Sequence, residues 1–477
     1  MSPLLCFPAV SDQKALPVFD PALADMRFGC GLSPEIPPPV TLSDMLASLT
    51  APDQAATDFP IERYETYLIR ISEFAKLSAE FSRARGTPKA KDALDARKRR
   101  RRETANDALG WFGNVLMRRT WSEHPFRERL TGFWADHFTT AGKAAALRSA
   151  VSPYVESAIR PLIAGHFEDL LISAVTHPLM VTYLDQDRSF GPNSAFAATT
   201  DQTRGLNENL GREILELHTL GVGGPYTQDD VRQLATLLTG VTADRKGRAS
   251  FRPRLAEPGP EVILGQEYGG DPATLDHVHE ALRGLANHPA TAQHLCRKLA
   301  IHFVSDTPAD GLITAMEEAY LDTGGLLLDV YSAMLSHPAA WHAEAGNIKR
   351  PVDFIGSSLR ALALPPAVIT RMRPQNLRGS FQLPMQLMGH RWEMPNGPDG
   401  LPEEDSAWLS PQGLAARLQW ALTIPGRLIQ ELPDPRDFVE TALGPRATAR
   451  VRFAADAAET KSDGVGLVLA SPAFQRA

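Results

Sequence analysis

Apolar residues recur at steps of three and four along most of this chain, and this spacing restricts how it can fold more than any other feature. Between residues 60 and 84 the recurring positions are Tyr64, Tyr67, Leu68, Ile71 and Phe74. A helix with 3.6 residues per turn brings such positions onto one face, which is then buried. We therefore predict a mainly helical, all-α fold built as a multi-helix array of packed helical hairpins.

Three segments share a His-Pro step between two apolar stretches, namely LISAVTHPLM, RGLANHPATA and YSAMLSHPAA. The residue before proline is disfavoured in the α region, whereas proline itself suits the first position of a helix. We interpret His177, His288 and His337 as helix N-caps or boundary residues and not as metal ligands. Their unequal spacing argues against a regular solenoid.

Strand signals are confined to residues 249–268, where SFRPR, a Pro-Gly-Pro turn and VILG predict one small β-hairpin. The first forty residues carry scattered proline and glycine, ending in three consecutive prolines at Pro37–Pro39. We predict an extended N-terminal arm over residues 1–40 and a single helical body over residues 41–477.

The composition excludes several classes of function. The formal charge of −7 gives no general attraction to phosphate, so no nucleic-acid partner is expected. The three cysteines lack CxxC spacing, so neither a disulfide framework nor a thiolate zinc site is predicted. The start lacks a signal peptide, and no apolar run is long enough to span a membrane. A soluble, cytoplasmic protein is the default expectation, with envelope association as the alternative.

Six consecutive basic residues, Arg97–Arg102, lie within a predicted helix from Asp92 to Arg119. A helix spreads six successive side chains around its axis, and no aromatic residues interleave them to stack on bases. We interpret the run as a solvated or salt-bridged helix, with an anion-binding surface as the alternative.

The densest polar pattern is GLNENLGREILELHTLGVGG followed by YTQDDVRQLATLLTG, a predicted pair of helices over residues 207–240. In the first helix Leu210, Ile214 and Leu217 form the expected core stripe. Asn209, Glu213 and Glu216 lie on the neighbouring stripe, and Arg212 can pair with Glu208 or Glu216. In the second helix Thr227 and Asp230 form a capping box, and Val231, Leu234 and Leu238 form the buried face.

At this pattern the chain resembles a bacterial domain-of-unknown-function family, numbered eighteen hundred. The same resemblance extends to five further segments: RFGCGLSP at 27–34, FWADHFTT at 133–140, YLDQDRSFGPNS at 183–194, KLAIHFVSDTP at 298–308 and PNGPDGLPEEDSAWLSPQGLAARLQWA at 395–421. The resemblance implies no activity, because none is assigned to the family. It implies a partner, the product of a neighbouring gene of an exported, sulfatase-like family. This chain has Ala256 and His390 where the family often has histidine and glutamine.

Two functions remain open. In the first, the protein is a binding or assembly protein whose polar helix pair is buried and fixes helix register. In the second, it is a hydrolase-like enzyme in which Glu213, Glu216 and His137 are the catalytic candidates, with or without a divalent metal. The candidate substrate-binding residues are Asn207, Glu208, Asn209, Arg212, Asp185, Trp392 and Asp399.

Overall fold

Helices form most of the chain in the computed structural model, which describes residues 18–144, 146–199, 205–244, 246–342 and 346–477. The longer α-helices are Leu42–Thr50, Tyr64–Ala84, Ala90–Trp121, Pro125–His137, Phe167–Val175, Gln228–Leu237, Leu275–Ala286, Pro289–Phe303, Asp310–Asp322, Leu327–Ser336, Pro351–Ala361, Pro411–Thr423, Pro435–Leu443, Ala449–Asp456 and Lys461–Ala470. The short ones are Pro21–Leu23, Gln54–Asp58, Val151–Tyr154, Pro178–Tyr183, Asn209–Glu213, Pro366–Thr370, Pro374–Leu377, Leu383–Leu387, Pro425–Leu428 and Pro472–Gln475. The prediction of a mainly helical fold is confirmed.

Tighter and wider helical turns connect these helices. Turns of π-helix span Ala24–Phe28, Val155–Ile159, Ile214–His218 and Arg378–Gln382. Turns of 3₁₀-helix span Arg160–Leu162, Gln186–Arg188, Ala197–Thr199, Pro253–Leu255, Pro338–Trp341, Asp405–Trp408 and Gly444–Arg446.

The three His-Pro junctions at His177, His288 and His337 each cap a helix, as the sequence predicts. The Nδ1 atom of each histidine accepts a hydrogen bond from the backbone N–H two residues later, at 3.1 Å for His177, 3.0 Å for His288 and 3.2 Å for His337. Proline then occupies the first helical position, where its missing N–H leaves no hydrogen bond unmade.

Two small antiparallel hairpins interrupt the helices, where the sequence predicts one. Their strands are Val241–Ala243 paired with Ala249–Phe251, and Gly259–Ile263 paired with Gln266–Gly270. The second hairpin turns at Leu264 and Gly265, whose φ angles are 52° and 77°. Positive φ at both central residues is typical of the type I′ turn, whose twist matches that of the strands.

The apolar side chains form two clusters among the described residues. The larger draws on residues 23–341, and the smaller on residues 112–117 and 352–474. The Ala90–Trp121 helix joins them, because Trp111 packs in the larger cluster and Phe112 in the smaller. The Pro351–Ala361 helix lies beside it and is buried along its whole length. The boundary between the clusters therefore runs along two neighbouring helices.

Part of the predicted N-terminal arm is helical and buried. Residues 21–28 form an α-helical and then a π-helical turn, and the ring of Phe28 lies 5.4 Å from Trp341 and 6.0 Å from Phe303. Residues 1–17 lie outside the described residues. The predicted division at residue 40 stays a prediction.

Candidate functional site

The predicted polar stripe of the first helix, which we call the ridge, lies on a helix whose winding changes halfway. The ridge consists of Glu208, Asn209, Arg212, Glu213 and Glu216. The α-helix Asn209–Glu213 continues as the π-helical turn Ile214–His218. A π-helical turn is wider than an α-helical turn and shifts the later side chains around the axis. Leu215 and His218 are consequently buried, whereas Leu217, which we expected in the core stripe, is only half-buried.

The ridge is not buried, which corrects the expectation for the polar helix pair. Arg212 lies 3.2 Å from Glu208 and 3.3 Å from Glu216, but the three side chains remain 36%, 35% and 26% exposed, respectively. Asn209 is exposed as well. The ridge helix packs through Leu210 and Ile214, so its polar stripe runs along the edge of the contact and not through it. The capping box of Thr227 is confirmed.

Asn207 and Asp185 fix a turn beside this helix. The Asn207 side-chain amide donates to the carbonyl oxygens of Leu184, at 3.3 Å, and of Asp185, at 3.2 Å. The Asp185 carboxylate pairs with Lys143 at 2.7 Å, and the residue has a φ of 57°. These contacts hold two chain segments together.

Asp399 belongs to a distant segment of the chain but lies close enough to Glu213 to affect the pKa of that residue. Partial burial raises the pKa of Glu213, and Glu216 and Asp399 add to the rise. The structure therefore brings three predicted candidates, Glu213, Glu216 and Asp399, into one negative region.

His137 contacts a different set of groups. It is 2% exposed, and its Nε2 lies 3.2 Å from the His218 carbonyl oxygen and its Nδ1 3.3 Å from Lys298 Nζ. These partners require a neutral ring that donates through Nε2 and accepts through Nδ1. Burial, with the nearby Lys298, holds the pKa of His137 well below its usual range. Its hydrogen-bond partners are thus a lysine and a carbonyl, and neither is a ridge carboxylate.

No group of three histidine, cysteine or carboxylate residues that could hold a metal ion occurs in the described part of the chain. None of the described helices is long and apolar enough to cross a bilayer.

A cavity of about 160 Å³ lies at the boundary between the two apolar clusters, and the sequence did not reveal it. Its walls come from the Ala90–Trp121 and Pro125–His137 helices, the residues 151–160, the start of the Pro351–Ala361 helix and the loop 390–401. Of the predicted residues only Trp392 lines it.

Buried ion pairs surround this cavity. Arg118 makes two hydrogen bonds to Glu156, at 2.5 and 3.1 Å, and Arg160 makes two to Glu128, at 3.0 and 2.5 Å. Charges at this depth must be paired, because their desolvation is costly. Paired buried charges therefore flank the cavity, although most of its lining surface is apolar.

One part of the wall carries more positive than negative charge. Asp353 Oδ1 lies 3.0 Å from Arg119 Nη1 and 3.8 Å from Arg129 Nε, so two guanidinium groups share one carboxylate. Burial alone would raise the pKa of Asp353, but Arg129 and Arg119 outweigh it and hold that pKa below its usual range. Asp353 is thus ionised, and the excess of guanidinium groups is confined to this contact, because the adjacent Arg350 pairs with two carboxylates, Asp136 and Glu403.

Glu393 is the unusual acid of the cavity. Its backbone φ is 52°, a left-handed conformation that side chains other than glycine rarely adopt. Its Oε1 accepts a hydrogen bond from the Ser152 hydroxyl. Burial raises the pKa of Glu393 from 4.5 to about 7. At neutral pH this carboxyl group is therefore present in both protonation states.

Several polar atoms on the cavity walls have no hydrogen bond within the described structure. Three of them are Arg119 Nε, Thr140 Oγ1 and His390 Nδ1, whereas Arg119 Nη1 and Asp353 Oδ1 pair with each other at 3.0 Å. Burial lowers the pKa of His390 to about 3, so its ring is neutral and Nδ1 can accept or donate according to its tautomer. Unsatisfied buried polar atoms are rare in proteins, and three on the walls of one cavity indicate a place for a polar guest.

Glu393 is not among the residues that the sequence predicts for a site, although Trp392 beside it and Asp399 in the same loop are. A signal was present in the Pro125–His137 helix, where Arg127, Glu128 and Arg129 are all buried. Charged residues on every side of a helix predict either an exposed helix or a buried polar network. The aromatic residues that flank these charges in the same helix favour the buried network.

These features define a mainly α-helical protein with a charged cavity between two apolar clusters. The chain belongs to the family described as "Protein of unknown function (DUF1800)", which it matches over residues 26–476. The resemblance noted in the sequence is thereby confirmed. No curated protein and no solved structure matches the chain.

Proposed function

We propose that the protein is an acid–base enzyme of the hydrolase-like kind, and that its active site is the cavity between the two apolar clusters. The observation that carries the proposal is the group of unsatisfied polar atoms on the cavity walls. A small polar substrate would supply their missing partners, and this supports substrate binding over simple packing.

Glu393 is the proton-transferring residue in this proposal. An acid–base catalyst works best when its pKa lies near the working pH, and burial places that of Glu393 at about 7. The hydrogen bond from Ser152 orients one oxygen of this carboxyl group. The left-handed backbone of Glu393 is consistent with this role, because strained residues cluster at functional sites.

Arg119 is the substrate-orienting residue. Its Nε has no hydrogen bond, and Arg119 and Arg129 share the single carboxylate of Asp353. A guanidinium group in a low-dielectric cavity stabilises negative charge on a bound oxygen, both in the substrate and in a transition state. The proposal therefore favours substrates that carry a carboxylate or phosphate group.

A panel of small probes tests the binding step. Acetate and inorganic phosphate should raise the melting temperature and change the fluorescence of Trp392, which lines the cavity, whereas glucose should do neither. Arg119→Gln should remove both responses, and the exposed control Arg378→Gln should keep them. Trp392→Phe should lose only the fluorescence response. Retention of the anion response in Arg119→Gln would contradict the proposal, as would no response to either anion.

The pH dependence of the same binding tests Glu393. Because an ionised Glu393 repels an anion, acetate should bind more tightly below pH 7 than above it. The dependence should vanish in Glu393→Gln and persist in Glu404→Gln, an exposed acid of the same loop. An unchanged pH profile in Glu393→Gln would contradict its role.

The ridge candidates remain a competing site for the same function, and their roles stay predictions. Under the proposal Glu213→Gln, Glu216→Gln and His137→Gln leave anion binding to the cavity intact. If Glu213→Gln abolishes binding while Arg119→Gln preserves it, the ridge and not the cavity is the active site.

A second candidate function, protein binding, is favoured by an exposed apolar surface. Along the Pro411–Thr423 helix Leu414, Leu418 and Leu422 are 38%, 47% and 41% exposed, and the neighbouring Leu383–Leu387 helix exposes both of its leucines. Exposed leucines at four-residue steps on adjacent helices are typical of a docking surface. We propose the neighbouring sulfatase-like gene product as its partner.

Co-purification of the two gene products tests this second function. Leu414→Ser combined with Leu418→Ser should abolish co-purification. The matched control combines Leu321→Ser with Val222→Ser, two exposed apolar residues elsewhere in the chain. Equal co-purification of both double variants would contradict the proposed surface.

A further inference from the structure

A helical hairpin projects from the body of the protein. The Tyr64–Ala84 and Ala90–Trp121 helices pack side by side, and the first is anchored by the buried residues Tyr67 and Phe74. All of residues 75–103 are described, and each of them keeps part of its surface exposed. At 1.5 Å per residue the outer part of the second helix extends roughly 20 Å beyond the anchored part.

The projecting part is strongly cationic, although the chain as a whole carries −7. Residues 75–103 contain eleven lysines or arginines and four acids. Two of the cations have partners: Arg100 pairs with Glu73 and Glu103, and Arg97 lies over the ring of Phe81 at 5.7 Å. This part of the hairpin therefore opposes the charge of the rest of the molecule.

The other nine cations are exposed and form no ion pair with any described residue. They are Lys76, Arg83, Arg85, Lys89, Lys91, Lys98, Arg99, Arg101 and Arg102. They lie on both helices and beside the turn between them, and so surround the end of the hairpin. We call residues 75–103 the cationic tip.

We propose that the cationic tip binds the surface of an anionic lipid bilayer. The end of the hairpin, residues 83–91, lies further from the body than the Debye length of about 8 Å at physiological ionic strength, so the negative body does not cancel the attraction there. Each Lys or Arg close to an anionic membrane adds to the binding, and the effect falls off within the same distance.

The arrangement of the cations favours a membrane over a nucleic acid. Because they lie on all sides of the hairpin, a duplex on one side could contact only part of them, whereas a headgroup layer that the end of the hairpin touches could contact the cations on each side of that end. Phe81 is the only aromatic residue of the tip, and Arg97 covers it, so base stacking has no platform. The exposed residues of the tip include no large apolar side chain, which predicts reversible, salt-sensitive binding without insertion.

Vesicle co-sedimentation tests the proposal with the full chain. The protein should sediment with vesicles of phosphatidylglycerol and phosphatidylcholine in equal parts at low salt, and not with pure phosphatidylcholine. The triple variant Arg85→Gln, Lys89→Gln and Lys91→Gln, which removes three exposed cations at the end of the hairpin, should bind about 100-fold more weakly. The control variant Arg371→Gln, Arg373→Gln and Arg378→Gln removes the same charge from exposed sites elsewhere and should bind as the unmodified protein does.

The two variants share a net charge and change only exposed side chains, so their melting temperatures should match that of the unmodified protein. Absence of binding to the anionic vesicles at low salt overturns the proposal. Equal losses in both variants overturn it too, because binding would then follow total charge. Tighter binding to duplex DNA than to the vesicles assigns the tip to nucleic acid instead.

Discussion

The chain places the same chemical motif at two depths. Arg160 lies between Glu128 and Asp53, just as Arg212 lies between Glu208 and Glu216. The Arg160 side chain is 5% exposed, whereas that of Arg212 is 36% exposed. An exposed ion pair contributes little because water competes for it, but a buried one must stay complete because a lone buried charge is very costly. Depth, and not residue type, decides the energetic role of each motif.

The largest expected effect follows from breaking the buried motif. Arg160→Ala leaves Glu128 without its bidentate partner and should lower the free energy of unfolding by roughly 3–5 kcal/mol. Urea denaturation at neutral pH measures this loss. A loss under about 1 kcal/mol would show that the buried motif behaves like an exposed one.

The second effect concerns the buried acid that has no cation. Folding raises the pKa of Glu393 from 4.5 to about 7, so the folded state holds its proton more tightly than the unfolded state does. The stabilisation that the protonated Glu393 contributes to the folded state is fully present below pH 4.5 and is lost as the pH rises through about 7. The loss amounts to at most about 3 kcal/mol.

Glu393→Gln should remove this part of the pH dependence, as measured by denaturation across the pH range, whereas Glu404→Gln should not. Parallel curves for the protein and Glu393→Gln would contradict the raised pKa.

A third, smaller effect lets the exposed ion pairs of Arg212 be compared with a single local hydrogen bond in their contribution to the free energy of unfolding. Thr227 Oγ1 accepts from the backbone N–H of Asp230 in the capping box of the adjacent helix. Thr227→Ala should cost about 1 kcal/mol in the free energy of unfolding. Thr87→Ala, in the exposed turn of the helical hairpin, serves as the comparison. Equal losses in the two variants would mean that the cap adds nothing beyond a surface substitution.

The smallest effect belongs to the exposed motif itself. Arg212→Ala should change the free energy of unfolding by under about 1 kcal/mol, and high salt should reduce even that. Denaturation at low and high salt checks both statements. A loss as large as that of Arg160→Ala would remove the contrast between the two motifs.

The sequence predicted the helices and their ends well because those depend on neighbours in the chain. The His-Pro caps and the capping box at Thr227 need only local hydrogen bonds, and the buried face of Val231 and Leu234 needs only helical periodicity. The placement of Asp399 near Glu213 was not predicted, because no local rule links two segments so far apart.

The sequence did not predict depth or the details of winding. Periodicity shows which residues share a helix face but not what covers that face, so the half-exposed ridge was expected to be buried. The π-helical turn at Ile214–His218 altered the face that an α-helical spacing predicts for Leu217. Glu393 was missed because its role depends on the approach of Ser152, which is 241 positions away in the chain.

The protonation of Glu393 tests the central claim most directly, because the proposed chemistry requires a carboxyl group that exchanges its proton near neutral pH. Infrared difference spectra between the protein and Glu393→Gln, recorded across pH, report the carbonyl band of that one protonated acid. We expect this band to disappear as the pH rises, with a midpoint near pH 7. A midpoint near the ordinary 4.5 would contradict it.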